Sequence, residues 1–416
     1  MKLSKLGRRY TQGSGILGLM DDLGTALAGQ RTVLMLGGGN PSHIPEIEAV
    51  WRARMLRIVE DPGPFGRVIG DYSPPQGDAA FIESLAELLR LEYGWRLGPG
   101  NIALTSGSQL AFFMLFNMLA GVHADGSFKK VLLPMCPEYI GYADLGAAPD
   151  LFTARRPTIE DHAPHRFKYR LALEDLAIGE DIAAICVSRP TNPTGNVLTD
   201  GEIVALAEAA RANQVPLIVD SAYGAPFPNI LFVDAKPIWD ETIILCMSLS
   251  KLGLPGARTG IVIAGEEVIT HLVAMNAVVG LAPGNFGPAL VIDAVRSGAV
   301  LRMSREIIQP YYARRARDAA ACLDEHLHGL PYRLHQIEGA LFLWLWLPDL
   351  PISSLALYTR LKERGVVVVS GHYFFPGFNE EWPHTRECLR INYAQAPEVV
   401  HRGIAIIADE VRRIYG

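Results

Sequence analysis

Cysteine is scarce and scattered. The 416 residues hold five, at positions 136, 186, 246, 322 and 388. No two sit at zinc-site spacing and they sketch no disulfide framework, so a reducing cytoplasm is the expected compartment. Eleven histidines form no HExxH or comparable cluster, which argues against a metal centre. No apolar run reaches the roughly 18 residues that a membrane span needs; the longest, 110–120, is interrupted by Asn117. Residues 1–10 are basic but lead into no apolar segment, so no secretory signal is expected. Positive charge is also short. Lys and Arg total 38 against 44 Asp and Glu, leaving −6, the wrong sign for a surface that binds duplex nucleic acid. No GxGxxG opens a helix, which counts against a dinucleotide-binding dehydrogenase. Wholesale disorder is excluded by 49% hydrophobic against 20% charged residues. The length suffices for two or three domains and a large core.

What is present is an alternation of short apolar runs and amphipathic stretches. Strands are predicted at 32–36, 102–105, 131–134, 183–188, 216–220 and 243–246, and 260–264 reads as antiparallel to its neighbours. After a turn at 72–77, Phe81, Leu85, Leu88 and Leu89 recur at helical spacing. Further helices are predicted over 110–120, 200–213, 267–277 and 304–326, and Pro137 to Tyr142 opens another. Residues 1–45 read as irregular and 282–288 as a Gly/Pro-rich break. Repeated strand–helix units with nearly continuous apolar strands imply an α/β fold, a mostly parallel sheet covered on both faces. From 332 onward the pattern is α+β, with strands at 341–347, 366–370 and 388–392 and helices at 353–364 and 397–414. The expected division is an N-terminal segment, 1–45, packing with a small C-terminal domain, 296–416, and a large domain, 46–295, between them.

In parallel sheets ligands gather beyond the carboxyl ends of the strands. The unusual polar residues of this chain fall at those ends: 105–109, Asn192, 220–223 and 248–251. In Ser248-Leu249-Ser250-Lys251, two hydroxyls flank a lysine, and Arg258 follows seven residues later. Small donors and a guanidinium suit a phosphate. A lysine there can hold a carbonyl compound as an imine once burial and nearby cations lower its pKa. Thr105-Ser106-Gly107-Ser108-Gln109 leads from strand to helix, which aims free amides and a positive dipole end at an anion; capping by Ser106 or Ser108 accounts for the same residues. As one site, Lys251 would hold an aldehyde cofactor and Asp220 would face a protonated ring nitrogen. Asn192 and Tyr223 would donate to a ring oxygen, and Tyr139 would stack on the ring. Ser108, Gln109, Ser248, Ser250 and Arg258 would bind a phosphate. Singly, each has a plainer reading: Asp220 a helix cap, Asn192 a turn between prolines, Tyr139 core. Gly37-Gly38-Gly39 before Asn40-Pro41 reads either as close backbone approach to a ligand or as a plain turn.

Together, Asn192-Pro193-Thr194-Gly195, Asp220-Ser221-Ala222-Tyr223, Ser248-Leu249-Ser250-Lys251 and Arg258 resemble the signature of fold-type I pyridoxal-phosphate aminotransferases. Gly107-Ser108-Gln109 is similar to that family's phosphate turn, and Arg390 in Cys388-Leu389-Arg390-Ile391-Asn392-Tyr393 to its arginine for the substrate carboxylate. The longer stretches 137–144, 186–197 and 371–377 resemble a bacterial branch that moves the amino group of valine to pyruvate. The resemblance implies pyridoxal 5′-phosphate on Lys251, which then serves as general base and acid. It also implies a two-point contact from Arg390 to the α-carboxylate, completed near Gly39 and by the Asn192 amide. It implies a homodimer with shared sites, in which Tyr72 reaches the neighbour's phosphate. The partners it implies are amino acids and 2-oxo acids, with neither nucleic acid nor membrane. Ile16, Leu17 and Phe374 are its candidate pocket walls. A dicarboxylate would need a second cation, and the sequence identifies no arginine for it, leaving Arg296 and Arg302 open. Three rivals stand beside this reading. One is a lyase, decarboxylase or aromatic aminotransferase on the same fold. Another is a non-catalytic regulator, for which the residues before Thr32 supply no helix-turn-helix. The third is the dehydrogenase.

Overall fold

The computed structural model describes residues 1–11, 15–27, 33–162 and 164–416. An eight-stranded sheet forms the centre. Across it lie Ile102–Thr105, Gly260–Ile263, Ile243–Ser248, Leu217–Asp220, Ile182–Ser188, Phe128–Leu133 and Gly121–Val122, with Phe152–Ala154 added beside Phe128–Leu133. Gly260–Ile263 runs antiparallel to both its neighbours, as its sequence predicts, and Gly121–Val122 is an antiparallel edge. The central pairings are parallel. Leu217–Asp220 and Ile243–Ser248 are buried along their whole length, which is why they read as unbroken apolar runs rather than alternating ones. Register then sets the site. Thr105 faces Gly260, which faces Ser248; Ser188 faces Asp220, which faces Cys246. The strands end level, so their polar residues collect along one edge.

A second sheet has six strands, in the order Val369–Ser370, Cys388–Asn392, Phe342–Trp346, Arg333–His335, Arg166–Arg170 and Thr158–His162. Its last two strands come from inside 46–295, so this sheet is built from both sides of the expected boundary at 295. That hairpin escapes sequence reading because its strands, TIEDH and RFKYR, carry charge on the outward face and leave only Phe167, Lys168 and Tyr169 buried. Leu34–Met35 pairs in parallel with Val366–Val367, and the Arg9 and Tyr10 side chains bond the carbonyls of Gly146 and Leu145. The N-terminal segment therefore touches both layers.

Several expectations are corrected. Residues 1–45 are not irregular: helices run over Lys5–Thr11 and Gly15–Leu27. Thr32, the expected start of the first strand, lies outside the described residues. Pro137 opens no helix, only a 3₁₀ turn at Ile140–Tyr142; the Glu138 amide is committed to the Phe374 carbonyl at 2.8 Å, and a backbone donor spent on a tertiary partner cannot start a helical ladder. The break at 282–288 runs into a helix, Phe286–Arg296, because Pro288 sits in a first turn where its missing N–H would lack a partner anyway. The stretch 366–370 divides between two sheets. Among the described residues no helix is long and apolar enough to cross a membrane, and no group of His, Cys, Asp or Glu is placed to hold a metal ion.

Candidate active site

The strand Ile243–Ser248 ends in a 3₁₀ turn, Leu249–Leu252, that carries Lys251. The Lys251 amine donates to the Gly39 carbonyl at 2.7 Å and lies 5.2 Å from the centre of the Tyr223 ring. Burial lowers its pKa to about 8, the positive charges of Arg390 and Arg258 push the same way, and Asp220 opposes them. An amine at that value keeps a substantial unprotonated fraction at neutral pH, as a nucleophile or proton carrier requires. Between pH 8 and 10.5 the folded protein binds fewer protons here than the unfolded chain. This group's contribution to stability therefore grows as pH rises through that window and is at its least favourable below it. In the unliganded protein, labelling of Lys251 by an amine-reactive probe, followed by peptide mass spectrometry, should be half-maximal near pH 8. Exposed lysines should respond near their ordinary value of about 10.4.

Asp220 ends the neighbouring strand. Its Oδ2 accepts from the Tyr142 hydroxyl at 2.7 Å and its Oδ1 from the Ala222 amide at 2.9 Å. Burial raises its pKa to about 6, against the lowering effect of those two bonds and of Lys251. At neutral pH it is an ionised, nearly buried carboxylate. Tyr142 escaped the sequence reading, since no spacing rule links residue 142 to residue 220; only its place in the Pro137–Tyr142 stretch hinted at it. Tyr139 lies edge-on to Tyr142, ring centres 5.3 Å apart, and covers Gly141 so closely that a Cβ there would collide with its ring.

An anion cradle lies beside the lysine. Helix Ser108–Leu119 is capped by Gly107 at φ 92° with no side-chain cap, so Ser106 and Ser108 do not cap it and its first amides stay available. Any Cβ at 107 would collide with the Arg258 guanidinium. Glycine is needed there for conformation and for room. The Ser248 and Ser250 hydroxyls are 3.0 Å apart, and the Ser250 amide donates to Ser248 Oγ. Gln109 turns its side chain to the Gly141 carbonyl at 2.9 Å, leaving its backbone amide at the helix start.

Arg390 is 1% exposed on the strand Cys388–Asn392. Its guanidinium sits over the rings of Phe342 and Phe374, at 4.2 and 5.1 Å. Nη1 donates to Asn192 Oδ1 at 2.7 Å and Nη2 to the Gly37 carbonyl at 2.5 Å, while Nε is buried without a partner. Burial pulls its pKa down to about 10. An unpartnered, buried guanidinium N–H costs free energy that an incoming anion would recover. Gly37, Gly38 and Gly39 offer their carbonyls to Arg390, Asn392 and Lys251 in turn. Tyr72 stands apart, 85% exposed. Of the suggested pocket walls, Phe374 is buried against Arg390, Ile16 is half-buried and Leu17 exposed.

The architecture is an α/β enzyme with a tuned lysine amine, a buried carboxylate and an anion cradle at the carboxyl ends of one sheet, and a caged arginine on a strand of the second. A family model described as aminotransferase class I and II matches residues 65–407. The chain is 48% identical to the valine–pyruvate aminotransferase of Escherichia coli K12, covering all of this chain and 99% of the relative. A putative amino-acid aminotransferase from Psychrobacter arcticum 273-4 superposes with TM-score 0.96 at 46% identity, covering 100% of this chain and 99% of that one. The valine–pyruvate aminotransferase of Salmonella typhimurium LT2 superposes at 0.89 with 48% identity over 96% and 99%. The fold is that of the fold-type I aminotransferases. The chain belongs to the class I and II aminotransferase family.

Proposed function

We propose that this enzyme transfers the amino group of valine to pyruvate, giving 3-methyl-2-oxobutanoate and alanine, with pyridoxal 5′-phosphate as its cofactor. The observation that carries the reading is the meeting of Lys251 and Asp220, on adjacent strand ends of the central sheet, with the buried Arg390 of the second sheet. The substrate pair rests on the full-length similarity to the E. coli enzyme. The residues present fit the cofactor. The uncapped helix start, the paired serines and Arg258 suit its phosphate, the Asp220 carboxylate its ring nitrogen, the Tyr139 face its ring, and Asn192 Nδ2 and the Tyr223 hydroxyl its ring oxygen. When bound, this cofactor supplies an electron sink and a carrier for the amino group.

The chain supplies the rest. Lys251 is the residue that would hold the cofactor's aldehyde, and its amine would move the proton off and onto the substrate Cα. Asp220 would pair with the ring nitrogen and favour its protonated form. Arg390 grips the carboxylate of either substrate, with Phe342 and Phe374 excluding water. Replacing Asp220 by Asn removes a charge-assisted bond of about 1.5–3 kcal/mol, so cofactor affinity should fall roughly 10- to 100-fold, read by titration of the unliganded protein.

A homodimer in the cytoplasm completes the reading. Val59, Phe65, Ile69 and Tyr72 are exposed, as are Val278, Val279, Leu281 and Phe286. Asn285 ties the two groups together by donating to the Asp71 carbonyl at 2.7 Å. Exposed apolar side chains on these two groups suit a second copy of the chain, with Tyr72 reaching the neighbour's phosphate; analytical ultracentrifugation tests it. The activity test mixes valine and pyruvate with the holoenzyme and follows alanine. Release of pyruvate from an amino donor, without keto-acid exchange, would support a lyase instead.

A further inference from the structure

Glu138 is a buried acid with no part in the steps above. It is 0% exposed, and it gathers partners from several pieces of the site. The Ser188 amide donates to its Oε1 at 2.8 Å, the Ser188 hydroxyl bonds its Oε2, and the Tyr139 amide approaches Oε2 at 3.3 Å. Its own amide donates to the Phe374 carbonyl at 2.8 Å. Ser188 is the register partner of Asp220, and its carbonyl accepts from the Thr191 hydroxyl at 3.0 Å, one residue before Asn192. Phe374 in turn covers the Arg390 guanidinium. One side chain thus joins the loop bearing Tyr139 to the strand end from which Asn192 departs, and its main chain joins that loop to the cage around Arg390.

We propose that Glu138 is a positioning residue, whose carboxyl clamps the Tyr139 loop onto Ser188 and so fixes the stacking ring and the Asn192 amide at the distance the cofactor needs. The inference rests on the functional reading above, because it assumes that Tyr139 and Asn192 meet the cofactor. Loop side chains that contact a ligand keep their aim only when a second set of bonds holds the loop. A tertiary clamp also explains why a carboxyl tolerates complete burial: its oxygens are paired with donors. Burial and, more weakly, Asp220 push its pKa up to about 8, against the Ser188 bonds. Near neutral pH much of the group is then a neutral acid, with Oε1 accepting from the Ser188 amide and Oε2 against the Ser188 hydroxyl. A glutamine has the same length and the same pair of functions. An aspartate keeps the acid but is one methylene too short to reach.

The test compares Glu138→Gln, Glu138→Asp and Glu138→Ala by titrating each unliganded protein with pyridoxal 5′-phosphate and by following thermal unfolding of the same samples. A clamp predicts that Ala and Asp lose about tenfold or more in cofactor affinity, while Gln stays within about threefold of the wild type. It also predicts that Gln unfolds at the wild-type temperature. Should the Ala and Asp variants fail to fold, Ser188→Ala removes only the hydroxyl partner and should weaken cofactor binding several-fold. Wild-type affinity in Glu138→Ala, or in Ser188→Ala where the former is insoluble, overturns the inference. So does a loss in Gln as large as in Ala, since acidity rather than the clamp would then matter. A wild-type protein that binds no pyridoxal 5′-phosphate defeats the functional reading itself, and the clamp with it.

Discussion

Lys251→Ala should cut the turnover of valine with pyruvate by about 10³- to 10⁴-fold while leaving the fold intact. General acid–base catalysis by a positioned group contributes about 10²- to 10⁴-fold, and in the proposed mechanism Lys251 would also be the nucleophile that holds the cofactor's aldehyde. No neighbouring side chain can substitute. Arg390 stays protonated, Asp220 faces Tyr142 and the Ala222 amide, and Tyr223 has its phenol pushed well above the ordinary value by burial. Lys168, another buried lysine, is locked between Glu338 and the Val197 carbonyl in the second sheet. The fold should survive because Lys251 sits in a short turn and gives up one hydrogen bond, to Gly39, worth about 1 kcal/mol. Removing a desolvated cation offsets part of that. Unfolding of the unliganded variant within a few degrees of the wild type, together with the kinetic loss, is the expected pair of results. Normal turnover would remove Lys251 from the chemistry.

The second large effect falls on Arg390. Arg390→Lys keeps a positive charge but loses the planar fork, and a point charge cannot satisfy a carboxylate, Asn192 and Gly37 together. Two charge-assisted bonds at about 1.5–3 kcal/mol each set the scale, so kcat/KM should fall at least ~100-fold. The loss should appear for valine and for pyruvate alike, because the proposed site gives both carboxylates to one arginine. A loss confined to one substrate would mean that the other carboxylate binds elsewhere. An unchanged kcat/KM for both would take Arg390 out of the carboxylate site.

How much of this was legible in the chain depends on how local each feature is. The central strands announced themselves because a doubly covered parallel sheet demands continuous apolar runs, and Asp220 and Lys251 fell at their ends. Arg258 and Gly107 were visible one by one, but their contact was not, since it depends on Gly260–Ile263 turning antiparallel between the Thr105 and Ser248 strands. Tyr142 was hidden because it reaches Asp220 across 78 residues of chain. The cage of Phe342 and Phe374 was hidden for the same reason: three separate segments meet at Arg390. The hairpin 158–170 went unseen because its charges mask its alternation, and the two N-terminal helices because the stretch that holds them carries glycine and few strong periodic positions.

The central claim is that one amine, that of Lys251, carries the cofactor. Holoenzyme reduced with borohydride, digested and mapped by mass spectrometry tests it most directly. The account predicts a phosphopyridoxyl group on the peptide containing Lys251 and on no other. The same group on Lys168, Lys236 or another lysine, with Lys251 unmodified, would contradict it.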